Sequence, residues 1–215
     1  MRRYPYISFF FLFAIAGCSS GPGHALRTKG IAIQPIAFND SSHLAFVQRE
    51  ISSFYHCPVY LLTSTDMPSA FLNRSKGERY SAKSILSWLA QKRADSVAIL
   101  MGLTGKDIFV ANKDEHGKIK EPVSTYAVWG ILGLGYQPGV ASVVSDARFR
   151  WTDAGKYEHR LRTVVIHEIG HNLGLPHCKN VHCIMNDANE TISSVDNSGK
   201  DYCENCRKII SQKLD

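Results

Sequence analysis

Three histidines and one glutamate between positions 167 and 177 carry the clearest chemistry in the chain. In the run His167-Glu168-Ile169-Gly170-His171 the two imidazoles are four residues apart. On a helix that spacing puts them on one face, about 6 Å apart, where both can ligate one Zn²⁺. Glu168 follows the first of them directly; it is too close to join as a ligand without strain, yet is placed to accept a proton from a water at the metal. Gly174 can take up positive φ and end the helix in a sharp turn, and Pro176 keeps the helix from resuming. The turn brings His177 back toward the metal. Three neutral nitrogens with a fourth position left for water describe a catalytic zinc rather than a structural one. Such a water would have a pKa of about 7, so Glu168 can take its proton and later hand it to a leaving amine.

Six cysteines supply a second pattern. Cys178 and Cys183 enclose four residues, and Cys203 and Cys206 enclose two. This spacing fits a four-thiolate structural zinc site. Two disulfides fit it as well, and an oxidising compartment would favour them. Cys57, in His56-Cys57-Pro58, has no evident partner and reads as a buried free thiol. Met185, taken alone, reads as an ordinary core methionine. His182 in the cysteine loop reads as a solvated histidine, and His159 as a surface or supporting residue on the same helix as His167. No Gly-x-Ser-x-Gly elbow, phosphate loop or dinucleotide fingerprint is present.

The sixth cysteine belongs to a different feature. Arg2 and Arg3 precede the apolar run Ile7 to Ala16, which is short of a membrane span and ends at Gly17, as in a secretory signal. Ile15-Ala16-Gly17-Cys18 resembles the lipobox of bacterial lipoproteins. The expectation is a signal segment over 1–17, lipidation at Cys18, a flexible tether over 18–29, and an exported domain over 30–215 held at the membrane of the cell envelope. The formal charge of +6 loses two basic residues with that leader. No run of five like charges remains, so a nucleic-acid partner is not expected.

These side chains need a scaffold. Gly30 to Ile36 reads as a buried strand, followed by a helix capped near Asp40 with Leu44, Val47, Ile51 and Phe54 on one face. Val59 to Leu62 reads as a strand, Ser81 to Ala90 as a helix, and Ser96 to Met101 as a strand. The alternation predicts an α/β layer of mostly parallel strands with backing helices. Tyr126 to Gly130 and Val140 to Ser145 read as two further strands, neighbours at one edge of a mixed sheet, joined by the glycine-rich run 133–139. A helix from about Tyr157 to Leu173 carries the histidines. A monomer is the default expectation.

The string His167-Glu168-x-x-His171-x-x-Gly174-x-x-His177-Cys178-x4-Cys183-x-Met185-x17-Cys203-x-x-Cys206 follows the metzincin pattern and resembles the archaemetzincin signature at every fixed position. Arg79 to Ala82, Gly102 to Thr104 and Ser145 to Arg148 are also similar to that family. The resemblance implies a mixed α/β zinc metallopeptidase with two zinc ions per chain. His167, His171 and His177 would hold the catalytic ion, Glu168 would be general base and acid, and the four cysteines would hold the structural ion. Met185 would be the methionine-turn residue beneath the metal, and a small zinc-stapled subdomain would follow Gly174. It also suggests that Tyr126, Ala127, Val128, Trp129 and Gly130 form the edge strand on which an extended peptide or protein substrate lies. An export leader departs from a family expected to be intracellular; thiolates sent outside must bind zinc before oxidants reach them, and disulfides are the alternative. Two other functions remain as comparisons: a non-catalytic lipid-tethered zinc protein, and a nucleic-acid module built on the cysteines with Lys200, Arg207, Lys208 and Lys213.

Overall fold

The computed structural model describes residues 22–187 and 191–214. The expected signal segment 1–17 and Cys18 lie outside the described residues. The tether expected over 18–29 is corrected within its described part, because Pro22–Lys29 forms a helix, α1. Proline costs nothing at a first helical position, and Leu26, only 1% exposed, finds apolar cover beside the helix Glu204–Leu214. A polar, glycine-rich lead-in hid one anchoring leucine.

The central sheet has five strands in the order β2-β1-β5-β9-β8. These are β1 (Ile31–Ile36), β2 (Val59–Leu61), β5 (Ile99–Thr104), β8 (Gly133–Gly135) and β9 (Ala141–Ser145). The first four in that order are parallel, and β8 alone runs antiparallel, against β9. A mostly parallel mixed sheet was the expectation. β1, β5 and β9 are buried along their whole length, as parallel strands covered on both faces must be.

One face takes α2 (Ser41–Tyr55) and α5 (Ala154–Asn172); the other takes α3 (Ala82–Lys92). Ile31, Ile33, Met101, Leu103 and Val144 point to the first face, and Ala32, Ile36, Leu100, Ala141 and Val143 to the second. That split follows from the two-residue period of a strand. The helix start expected near Asp40 is there: its carboxylate accepts from the amides of Ser42 and His43 at 3.0 and 3.1 Å, which satisfies donors that the first turn leaves open.

A second sheet, of four very short strands, lies beyond α3 in the order β3-β4-β6-β7: β3 (Leu72–Asn73), β4 (Arg79–Ser81), β6 (Ile108–Val110) and β7 (Trp129–Ile131). It corrects the reading of Tyr126 to Gly130. Val123–Tyr126 is a single helical turn, α4, Trp129 stacks on Tyr126, and Trp129 and Gly130 pair with Val110 and Phe109. The neighbour of β9 is instead the first part of the glycine-rich run. No helix among the described residues is long and apolar enough to cross a membrane.

Candidate metal centre and substrate cleft

Helix α5 places the first two histidines. Asp153 caps it by accepting from the Lys156 amide at 3.0 Å. It ends in a Schellman turn: Gly174 sits at φ +86, its amide donates to His171 O at 2.8 Å, and the Leu175 amide donates to Gly170 O at 3.0 Å. The turn settles the geometry that a left-handed residue after the last helical turn requires. His177 then returns to the helix, and the ring centroids of His167, His171 and His177 are 4.6 to 5.3 Å apart.

The rings are oriented by the backbone. His167 Nδ1 donates to Ile184 O at 2.9 Å, and His171 Nδ1 to Leu175 O at 2.8 Å. A carbonyl only accepts, so the proton is on Nδ1 and the Nε2 lone pair is left for a metal. Burial, and next the neighbouring His171, push His167 down to about 3. Burial likewise lowers His171. Both are neutral at pH 7, the state in which imidazole ligates. One donor atom from each of the three histidines lies within 4.8 Å of the others, and the remaining side faces the cleft. The donor set fits zinc in an open site.

The four sulfurs converge as the four-thiolate reading of the spacing requires, and not as two disulfides. Cys178 Sγ and Cys203 Sγ are 3.7 Å apart, as are Cys183 Sγ and Cys206 Sγ. A tetrahedron with Zn–S bonds of about 2.3 Å has S···S edges of about 3.8 Å, whereas a disulfide needs about 2.05 Å. All four are free thiols in the structure. Cys183 Sγ accepts from the amides of Met185 and Cys203, and Cys178 Sγ from that of Asn180. The Cys206 amide holds Cys203 down to about 7, while burial pushes Cys183 and Cys206 up. Four thiols this close can all ionise together only around a divalent cation. The second zinc therefore fits here, and zinc is the cofactor of both sites.

The two sites share backbone. Cys178 follows His177, and Ile184, whose carbonyl orients His167, stands between Cys183 and Met185. Met185 is fully buried; a Cβ on Gly170 would come within 2.5 Å of its Sδ, so the methionine packs against the active-site helix where that helix has no side chain. Tyr202, next to Cys203, is joined to the same helix through Tyr55, whose hydroxyl donates to Ile166 O at 2.8 Å and lies 2.6 Å from the Tyr202 hydroxyl.

A cleft of about 270 Å³ opens over the histidines. One wall is α5, from Thr163 and Val164 to Glu168 and His171; another is Leu132 to Gly135; the far side is Ile184, Asn186, Asp187, Val195 and Ser198. Of the stretch 126–130 expected to hold substrate, no residue lines it. The wall strand is β8, which sequence reading passed over as a connection. Its signal was the alternation Gly133-x-Gly135: both glycines face α5, and a Cβ on Gly133 would stand 2.5 Å from Glu168 Oε1, one on Gly135 2.8 Å from Glu168 O. Asn172, also unremarked in the sequence, ties this edge down by donating to Ala141 O at 2.7 Å and Tyr136 O at 3.0 Å. Asp187 lies 3.7 Å from His177 Nδ1. Glu168, 6% exposed, is enclosed between β8 and the ligand histidines, while Cys57 is a buried thiol that belongs to neither cluster, pushed up to about 11 by burial.

Comparison with known proteins agrees with this geometry. The model of peptidase family M54 matches residues 42–212. The archaemetzincin of Archaeoglobus fulgidus is 28% identical over 180 residues, covering 84% of this chain and 98% of that protein. Its crystal structure superimposes with a TM-score of 0.68 at 27% identity, over 83% of this chain and 98% of that one. The archaemetzincin structure from Methanopyrus kandleri, 21% identical, shares the fold with a TM-score of 0.68 over 86% of this chain and 94% of that one. With the three histidines gathered at one cleft and the four cysteines in a second cluster beside it, the chain belongs to peptidase family M54, the archaemetzincins, and is a zinc metallopeptidase.

Proposed function

We propose that the chain hydrolyses peptide bonds with Glu168 as general base and then general acid, on a substrate laid in extended form along β8. The observation that carries this is the placement of Glu168: a carboxylate buried in the cleft wall, one residue from His167, its side chain confined by the bare backbone of Gly133. Zinc held by His167, His171 and His177 would supply Lewis acidity for the scissile carbonyl and for a water. Glu168 takes the proton from the attacking water and returns it to the departing amine, so that one group serves both transfers. The Nδ1–H bonds of His167 and His171 keep both rings from turning as charge develops.

β8 is the last strand of its sheet, so its outer row of amide groups is available to an extended peptide. The glycines on its inner side let that strand approach α5 closely, which brings a bound peptide to Glu168. A nucleic-acid role finds no support in the basic residues near the cysteines: Lys208 pairs with Glu204 at 2.9 Å and Arg207 lies 3.7 Å from Asp201.

The test is Glu168→Ala and Glu168→Gln in zinc-loaded protein. Both should retain two zinc ions by metal analysis and lose peptidase activity by about 10² to 10⁴. Full activity at normal zinc content would refute the role.

A further inference from the structure

The helix that opens the described fold carries charge that hydrolysis does not use. α1 has no acidic residue, and Arg27 and Lys29 stand exposed in its last turn. Neither meets a carboxylate among the described residues. The C-terminal helix Glu204–Leu214, on which α1 packs, adds Arg207, Lys208 and Lys213 against Glu204 alone. Between these two helices and α2 and α5 runs an open groove of about 570 Å³. Arg27, Arg162 and Arg207 line it, and Glu50 and Asp201 are the acids of its lining. Glu50 is taken by Arg162 at 3.1 Å. Asp201 lies 3.7 Å from Arg207, with both side chains largely in solvent, where such a contact is worth little. The surplus positive charge belongs to Arg27.

The same helix follows directly on the apolar leader read from the sequence. Ser19, Ser20 and Gly21 alone separate Cys18 from Pro22, four steps that span at most about 14 Å. Arg27 is five residues further, about 7.5 Å along α1. A chain anchored at its N-terminus therefore holds α1, and the helix packed on it, close over the lipid headgroups. An anionic leaflet attracts each basic residue held there by about fivefold in affinity, within a Debye length of the surface.

We propose that the face formed by α1 and the C-terminal helix docks on an anionic bilayer surface, where Arg27, Lys29 and Arg207 receive lipid phosphates. The inference is independent of the peptidase reading and rests on the leader as a membrane anchor. The two arginines at the groove can each hold a phosphate through paired N–H groups, and Lys29 meets one as a point charge. One anchoring signal gives marginal membrane binding and a basic patch is the second that stabilises it. The anchor attaches the chain; the basic face decides which side of the domain meets the leaflet.

The test is flotation of the full, zinc-loaded chain with vesicles of phosphatidylcholine alone or with about one third phosphatidylglycerol. The ratio of the two partition constants cancels what the anchor's apolar part contributes to both. It should be about 10² in favour of the anionic vesicles at low salt and fall toward one at about 0.5 M salt. Arg27→Gln, Lys29→Gln and Arg207→Gln should each lower it about fivefold. Lys118→Gln, exposed between β6 and α4, should leave it unchanged. If Arg207→Gln holds zinc poorly or melts early, the other two variants decide, since their side chains meet no carboxylate in the fold. Equal partition on both vesicles, or a ratio that Lys118→Gln lowers as much as the rest, would overturn the inference. A groove that binds inorganic phosphate in calorimetry, or a face that joins two copies in sedimentation, while the vesicles are not distinguished, would assign it another occupant and overturn it as well. Binding to anionic vesicles alone, tracking the same residues, would uphold the docking and refute the anchor. Binding to neither would refute both.

Discussion

Gly133→Ala isolates the placement of Glu168 from its chemistry. The added methyl would stand 2.5 Å from Oε1, 2.7 Å from Cγ and 2.8 Å from Cδ of Glu168. Ordinary contacts of this kind are about 3.5 Å, so the side chain must withdraw by about 1 Å. Rotating the carboxylate cannot relieve the clash, because Cγ takes part in it; the whole side chain has to change rotamer. Misplacing a reacting group by 1 Å costs on the order of 10²-fold, or about 2.7 kcal/mol of transition-state stabilisation. The fold should lose no more than the 1–3 kcal/mol typical of an inserted methyl. None of the three histidines stands among the atoms this methyl would meet first, so both zinc ions should remain. The assay is kcat/KM on a cleaved peptide, with metal analysis and urea unfolding on the same preparation. The double variant Gly133→Ala with Glu168→Ala should be no slower than Glu168→Ala alone, since the methyl acts only through a carboxylate that is then gone. Parent-like activity of Gly133→Ala at full zinc content would refute the argument that this strand positions the base.

Two further outcomes follow from the metal sites. Chelation should make Cys178, Cys183, Cys203 and Cys206 reactive toward a thiol reagent, whereas the zinc-loaded chain should leave them protected; thiol counts unchanged by chelation would mean disulfides in the working protein. The metal-free chain should also be acid-sensitive through its histidines. His167 has a folded pKa of about 3 against about 6.5 when unfolded, so between those values the unfolded chain binds a proton that the folded one does not. Stability is then complete above 6.5 and is lost as pH falls toward 3, by up to about 1.4 kcal/mol per pH unit for this group. Urea unfolding of the chelated protein at pH 7 and pH 5 measures it, with His167→Ala expected to flatten the dependence; equal stability of the chelated parent at both pH values would refute it.

Much of the site was legible because its residues are close in sequence and each has one job. The spacing of His167 and His171 is a helix repeat, Gly174 is a turn that needs positive φ, and four cysteines at those intervals can close on one point. The parallel core was legible too, since β1, β5 and β9 fall in short, mostly apolar stretches. What escaped lacks such local signals. β8 is two glycines around a leucine, and it is a strand because α5 and β9 hold it, not because of its own propensity. The strands of the second sheet are two or three residues long, too short to show a period, so Trp129 was assigned to the wrong sheet. α1 depends on one leucine meeting a helix almost at the other end of the chain.

The peptide bond between His177 and Cys178 joins a ligand of one metal to a ligand of the other, and Ile184 ties the same two sites together a second time. Whatever an ion at one site would contribute to holding that shared segment would also serve the other site, and linkage would make the effect mutual. Zinc supplied below saturation should therefore divide the population into chains with both ions and chains with neither. Scarcity would reduce how many molecules work rather than how well each one does.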